Sequence, residues 1–174
     1  MKYLVKFFVV TFLFLIYTHA SAEQKIAYLD MKFVLNNSKA GKGAQDFLQK
    51  SFKENQKIFL DEENALKKKE NDLLAQKTIL TKKEYQKKSD DLRKKVIDYQ
   101  SQRRTALEKI TSQRAEARQK LLEKLDPIMK TYIKENDISL IIDRKNVLMG
   151  NTNLDITNII VEKLNKEFPS LSIK

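Results

Sequence analysis

Residues 44–126 read AQDFLQKSFKENQKIFLDEENALKKKENDLLAQKTILTKKEYQKKSDDLRKKVIDYQSQRRTALEKITSQRAEARQKLLEKLD, 83 residues without a glycine or a proline. They hold 21 Lys/Arg and 15 Asp/Glu, a net charge of +6, and strong helix formers dominate. Such a stretch predicts a long, solvent-exposed helical region rather than a globular core. Phe52, Phe59, Leu66, Leu73 and Leu80 fall seven apart. Their companions three positions later are Asn55, Glu62, Lys69 and Gln76, so the seam has one apolar residue per heptad instead of two. After Leu80 the register breaks at Thr81-Lys82-Lys83-Glu84, the pattern of a capping box, in which hydroxyl and carboxylate satisfy orphan helix donors. A new apolar phase runs through Tyr85, Leu92, Val96 and Tyr99, then loosely through Leu107, Ile110, Leu121, Leu122 and Leu125. Two antiparallel helices turning near Gln76–Leu80 fit this better than one continuous rod. The hairpin arm would reach about 50–70 Å at 1.5 Å per residue. A thin seam and clusters such as Lys67-Lys68-Lys69 and Lys82-Lys83 predict a weakly held far end.

Working outward, Asn36–Gly43 (NNSKAGKG) is turn-rich, and Gly41 and Gly43 are expected to form the hinge of the arm. Before it, Lys25–Leu29 (KIAYL) is β-prone, and Asp30 can N-cap a short helix through Met31–Leu35. Beyond the arm, Asp126-Pro127 marks a boundary. Pro is tolerated in a first helical turn, so Ile128–Lys134 reads as a new helical segment or a kinked continuation. Asn136-Asp137 is a turn, and Ile138–Ile142 is the most strand-like run in the chain. After Asp143–Asn146, Val147-Leu148-Met149 is expected to return as the second strand of a hairpin. Asp155 then caps a last helix with an apolar face of Ile156, Ile159, Ile160, Leu164 and Phe168, stopped by Pro169. The expected fold class is α+β. A small β-containing body from residues 23–43 plus 127–174 carries the helical hairpin arm, 44–126, as an oversized crossover. A few short strands bury too little alone. Ile26, Tyr28, Leu29, Ile138, Leu140, Ile141, Ile142, Val147, Leu148 and Met149 are therefore the expected self-association residues.

The N-terminus carries an address. Lys2 and Lys6 precede the apolar run Phe7–Tyr17, and Ala20-Ser21-Ala22 is a small-x-small cleavage pattern. This predicts a secretory signal, residues 1–22, cleaved after Ala22. Eleven apolar residues give a helix of about 16 Å, short of the roughly 30 Å of a bilayer core. Over 174 residues, 34 Lys/Arg stand against 23 Asp/Glu, a net +11. Without the first 22 residues the chain keeps +9.

The single histidine, His19, lies in the removable segment, and the chain has no Cys or Trp. This excludes Ser-His-Asp and Cys-His catalysis, thiolate redox chemistry and His/Cys metal sites in the processed protein. Carboxylate, Lys or Tyr chemistry survives, but no nucleophile–base pair can be assembled, so no enzyme and no cofactor are expected. Gly41-Lys42-Gly43 lacks the first Gly and the Ser/Thr of a phosphate loop. Glu62-Glu63 and Asp90-Asp91 would point about 100° apart on a helix and cannot clamp a metal. Export argues against the nucleic-acid reading of the positive charge. The basic arm, including Lys67, Lys68, Lys69, Arg103, Arg104, Arg114 and Arg118, suits acidic polypeptides, anionic lipid or lipopolysaccharide. Phe52, Phe59, Leu66, Leu73, Leu80, Tyr85, Leu92 and Tyr99 form the hairpin seam or face a client.

KIAYLDMKFVLNNS at Lys25–Ser38, the charged hairpin, and NDISLIIDRKNVLMGNTNLDITNIIVEKLNK at Asn136–Lys166 together resemble the Skp/OmpH family of periplasmic chaperones. The two ends carry the resemblance; the middle matches in character only. The resemblance implies a homotrimer whose β-containing body bears three helical arms. It further implies a cavity between the arms that holds unfolded outer-membrane proteins without ATP. The family's lipopolysaccharide-binding residues lie on an arm. The Tyr99–Arg118 region does not align with them residue by residue, so no such site is carried over. The alternative function is an envelope structural coiled-coil protein that binds lipopolysaccharide or anionic lipid through its basic arm.

Overall fold

The computed structural model describes residues 24–173. The signal segment and its cleavage point after Ala22 lie outside the described residues. The order is β1 (Lys25–Leu29), α1 (Met31–Asn37), α2 (Lys39–Ala75), α3 (Lys82–Glu135), β2 (Ile138–Asp143), two 3₁₀ turns (Arg144–Asn146 and Thr152–Leu154) and α4 (Thr157–Glu167).

The long glycine- and proline-free stretch forms two helices, and the chain reverses between Ala75 and Lys82. The capping box at the start of α3 is complete. The Glu84 N–H donates to the Thr81 hydroxyl at 3.3 Å, and the Thr81 N–H donates to the Glu84 carboxylate at 3.0 Å. At 37 and 54 residues the helices extend about 55 and 80 Å.

The glycines are not a hinge. Both lie inside α2, and neither has a positive φ. The joint is Ser38. Its backbone N–H donates to Val34 at 3.1 Å to close α1, and its buried hydroxyl accepts from the Gly41 N–H at 3.1 Å to open α2. Gly41 is a contact point: a Cβ there would fall 1.8 Å from the Leu35 carbonyl oxygen. Gly43 faces open space.

Pro127 marks no boundary either. It sits inside α3, which runs unbroken from the arm into the body. An interior proline costs about 3 kcal/mol. Leu121, Leu125, Ile128 and Tyr132 are all buried on both sides of it and hold the helix in place. The body core gathers these side chains with Ala27, Leu29, Val34, Leu35, Ile156, Ile160 and Leu164.

The sheet has two parallel strands, with Ala27 opposite Ile141 and Tyr28 opposite Ile142. Parallel strands need a crossover, and here the entire arm supplies it. Val147, Leu148 and Met149 do not return as a strand. A 3₁₀ turn at Arg144–Asn146 follows β2 directly, and Leu148 and Met149 project into solvent at 105% and 93% exposure. Instead of reversing along the free edge of β2, the chain enters the 3₁₀ turn and continues toward β1.

The segment after this turn folds back over β1. The Ile156 N–H donates to the Tyr28 carbonyl at 3.0 Å. Asp155 accepts from the Thr157 N–H at 3.0 Å, Thr157 in turn accepts from the Asp30 N–H at 2.9 Å, and Arg144 pairs with Asp155 at 3.0 Å. On α4, Ile160 and Leu164 are buried, whereas Ile159 is exposed.

Candidate functional site

The arm is held by a seam that stays buried on α2 as far as Leu73, close to the tip, and loosens on α3 beyond Tyr99. Leu66, Leu73 and Tyr99 are buried; Phe59, Leu80, Tyr85 and Leu92 are half-buried. Mid-arm, the rings of Phe59 and Tyr99 meet edge-on with centroids 6.0 Å apart. The Tyr99 hydroxyl donates to Glu63 at 3.3 Å, and Lys67 pairs with the same carboxylate at 2.7 Å. The Lys67 hydrogen bond and charge hold the Glu63 carboxyl below its ordinary range, while Glu63 raises Lys67.

Phe52 breaks from the seam. It is 44% exposed and belongs to two cavities. The first, about 240 Å³, lies mid-arm between Phe59 and Leu60 on α2 and Tyr99, Arg103 and Leu107 on α3. The second, about 1100 Å³, lies where the arm meets the body. Its apolar wall includes Leu35, Leu48 and Leu121, and its cations are Lys32, Arg114, Arg118, Arg144 and Lys145. The two share Phe52 and follow one another along the hairpin, a groove in two parts. Of the basic residues singled out from sequence, Arg103, Arg114 and Arg118 line it. Lys67 is tied to Glu63, Arg104 pairs with Glu108 at 3.9 Å, and Lys68 and Lys69 lie elsewhere on the exposed arm surface. Lys32, Arg144 and Lys145 escaped sequence reasoning, because only the β1–β2 pairing brings their segments to the foot of the arm.

The expected self-association residues divide. Leu29 is fully buried, Tyr28 is buried beneath Gly150, and Ile138 and Ile141 pack on the core of their own chain. Ile142 and Val147 are half-buried. Ile26, Leu140, Leu148 and Met149 are exposed, the first two on the sheet face away from the helical core.

The fold is thus a crossover sheet bearing a long two-helix arm, with an apolar groove edged by cations. No helix among the described residues is long and apolar enough to cross a membrane. Residues 25–164 match the family model described as outer membrane protein (OmpH-like), and the chain belongs to this family. The fold is similar to the crystal structure of a candidate outer membrane chaperone (OmpH-like) from Caulobacter crescentus CB15. The TM-score is 0.81 at 19% identity, covering 90% of this chain and 93% of that one. No curated protein matches the sequence.

Proposed function

We propose that the protein is an ATP-independent holdase of the periplasm. It binds unfolded outer-membrane β-barrel proteins in a space enclosed by the arms of a homotrimer and prevents their aggregation. Family membership and the chaperone described for the structural neighbour support this reading. The observation that carries it is the half-exposed apolar floor of the groove, which runs beside cations along a projecting hairpin. A client held by many weak contacts stays bound while each contact exchanges. That suits unfolded chains that differ in sequence but share apolar residues and unpaired strand edges.

The body supports the assembly part of this reading. A two-stranded sheet is marginal alone, and Ile26, Leu140, Leu148 and Met149 present apolar surface beside the unpaired edge of β2. A second reading has one observation in its favour. Ile79, 82% exposed, sits at the arm tip among Lys77, Lys82 and Lys83, a suitable contact for anionic lipid or lipopolysaccharide.

One experiment separates the two. An unfolded β-barrel protein is diluted from urea, and its light scattering is followed with and without the purified protein, in the absence of nucleotide. The holdase reading expects scattering suppressed at one trimer per client. Unchanged scattering, together with binding to anionic vesicles that collapses in salt, would replace it with the envelope-binding reading.

A further inference from the structure

We infer that the groove takes an extended polypeptide segment with two carboxylate side chains on one face, followed on that face by a large apolar one. This rests on the holdase reading and specifies what a client presents.

Arg114 and Arg118 stand one helical turn apart at the body end of the groove, and neither enters an ion pair among the described residues. Nearby charges on the same helix are spent internally, Lys120 on Glu116 at 2.6 Å and Arg104 on Glu108. Four residues of helix advance about 6 Å, and alternate residues of a strand advance about 6.6 Å. An extended segment running along α3 therefore matches Arg118 and Arg114 with side chains two apart. Farther up the arm, the segment meets Phe52 and Leu107, 44% and 46% exposed, where an apolar side chain is required. Gln49 and Gln56 line the α2 wall, and neither has a hydrogen-bond partner among the described residues. Amides offer a donor and an acceptor each, which a peptide backbone can use and an acyl chain cannot. That wall favours a polypeptide over a lipid.

The test is fluorescence anisotropy of the purified protein with three labelled, end-blocked nonapeptides. One is centred on Asp-Thr-Asp-Thr-Thr-Thr-Phe, which sets Phe four residues beyond the second Asp as Leu107 lies about 10.5 Å beyond Arg114; one has Lys for both Asp, and one has Ser for Phe. The first is expected to bind at least fivefold tighter than either control. The double variant R114Q/R118Q is expected to weaken it about fivefold and leave the Lys peptide unweakened. Leu107→Ser is expected to lower affinity for the Phe peptide only. Equal affinity for all three peptides, or a double variant that binds as before, would overturn the inference. So would a double variant whose mass in solution falls, because the groove would then seat a second copy. A phosphate-bearing glycolipid that occupies the groove where the Asp peptide does not would overturn it as well. Client scattering is measured on the same samples. Suppression retained by R114Q/R118Q with unchanged peptide binding sinks the groove specificity alone. A wild-type protein that suppresses nothing sinks the holdase reading, and the peptide comparison still stands on its own.

Discussion

At the scale of single residues, the two glycines of the joint separate cleanly. Gly41 lets α2 touch the end of α1, and a methyl group there meets the Leu35 carbonyl at 1.8 Å. Gly41→Ala is expected to destabilise the protein by about 3 kcal/mol or more, since backbone cannot step aside as a side chain does. Gly43 has nothing within 4 Å and sits in an exposed helix, so Gly43→Ala should gain about 0.5–1 kcal/mol. Urea midpoints of the two variants check both signs; equal shifts would contradict the packing described for Gly41. The sequence shows two glycines in a turn-rich octapeptide and nothing that tells them apart. What distinguishes them is a contact with α1 that exists only once Ser38 has turned the chain. Asp30 was legible, because an N-cap is a local matter: its carboxylate accepts from the Phe33 N–H at 2.7 Å.

At the scale of elements, the arm, the two strands it connects and the short helices of the body were readable; the unbroken course of α3 and the path after β2 were not. The hairpin turn follows from a register break plus a capping box, both local signals. Pro127 and the Val147–Met149 segment misled for the opposite reason. Long-range packing of Leu121, Leu125, Ile128 and Tyr132 overrides the proline. For Val147–Met149, the turn signal at Asp143–Asn146 is local, whereas the chain's onward path is set by distant contacts such as the Ile156 bond to Tyr28. The groove was half legible: Arg114 and Arg118 four apart signal one helix face, but the opposing amide wall does not appear until the helices are paired.

Two predictions belong at this scale. Thr81→Ala removes the hydroxyl that caps α3 and should cost about 1 kcal/mol. The loss should appear as increased amide exchange confined to the turn and the adjoining first turn of α3; exchange rising evenly along the arm would contradict it. The mid-arm Glu63–Lys67–Tyr99 cluster sets a pH dependence. The Glu63 carboxyl is lowered from 4.5, first by its hydrogen bond to Lys67, so its contribution is present above that value and lost as pH falls through the lower folded value. Lys67 is raised from 10.5, so its contribution is present below that value and lost as pH rises through the higher folded value. Helicity melts at pH 3 should therefore begin at lower temperature than at pH 6. Glu63→Gln should remove part of that difference; an identical pH dependence in the variant would remove Glu63 from the account.

At the scale of the whole molecule, the question is what covers the free side of the sheet. Ile141 packs inside its own chain, so Ile141→Asp reports on folding and not on assembly. Leu140 is 52% exposed beside the unpaired edge of β2, and Leu148 is fully exposed. Leu140→Asp and Leu148→Asp are the variants expected to lower the mass in solution while helicity is kept, because both side chains leave the chain's own core untouched. Loss of helicity in both would contradict their placement at the surface. An arm reaching tens of ångströms from a small body has no enclosed volume of its own; an enclosure needs several copies. The most direct test is therefore analytical ultracentrifugation of the purified protein at micromolar concentration. Three times the chain mass is the expected result; a single-chain mass would leave the arms without a space to enclose and contradict the holdase account.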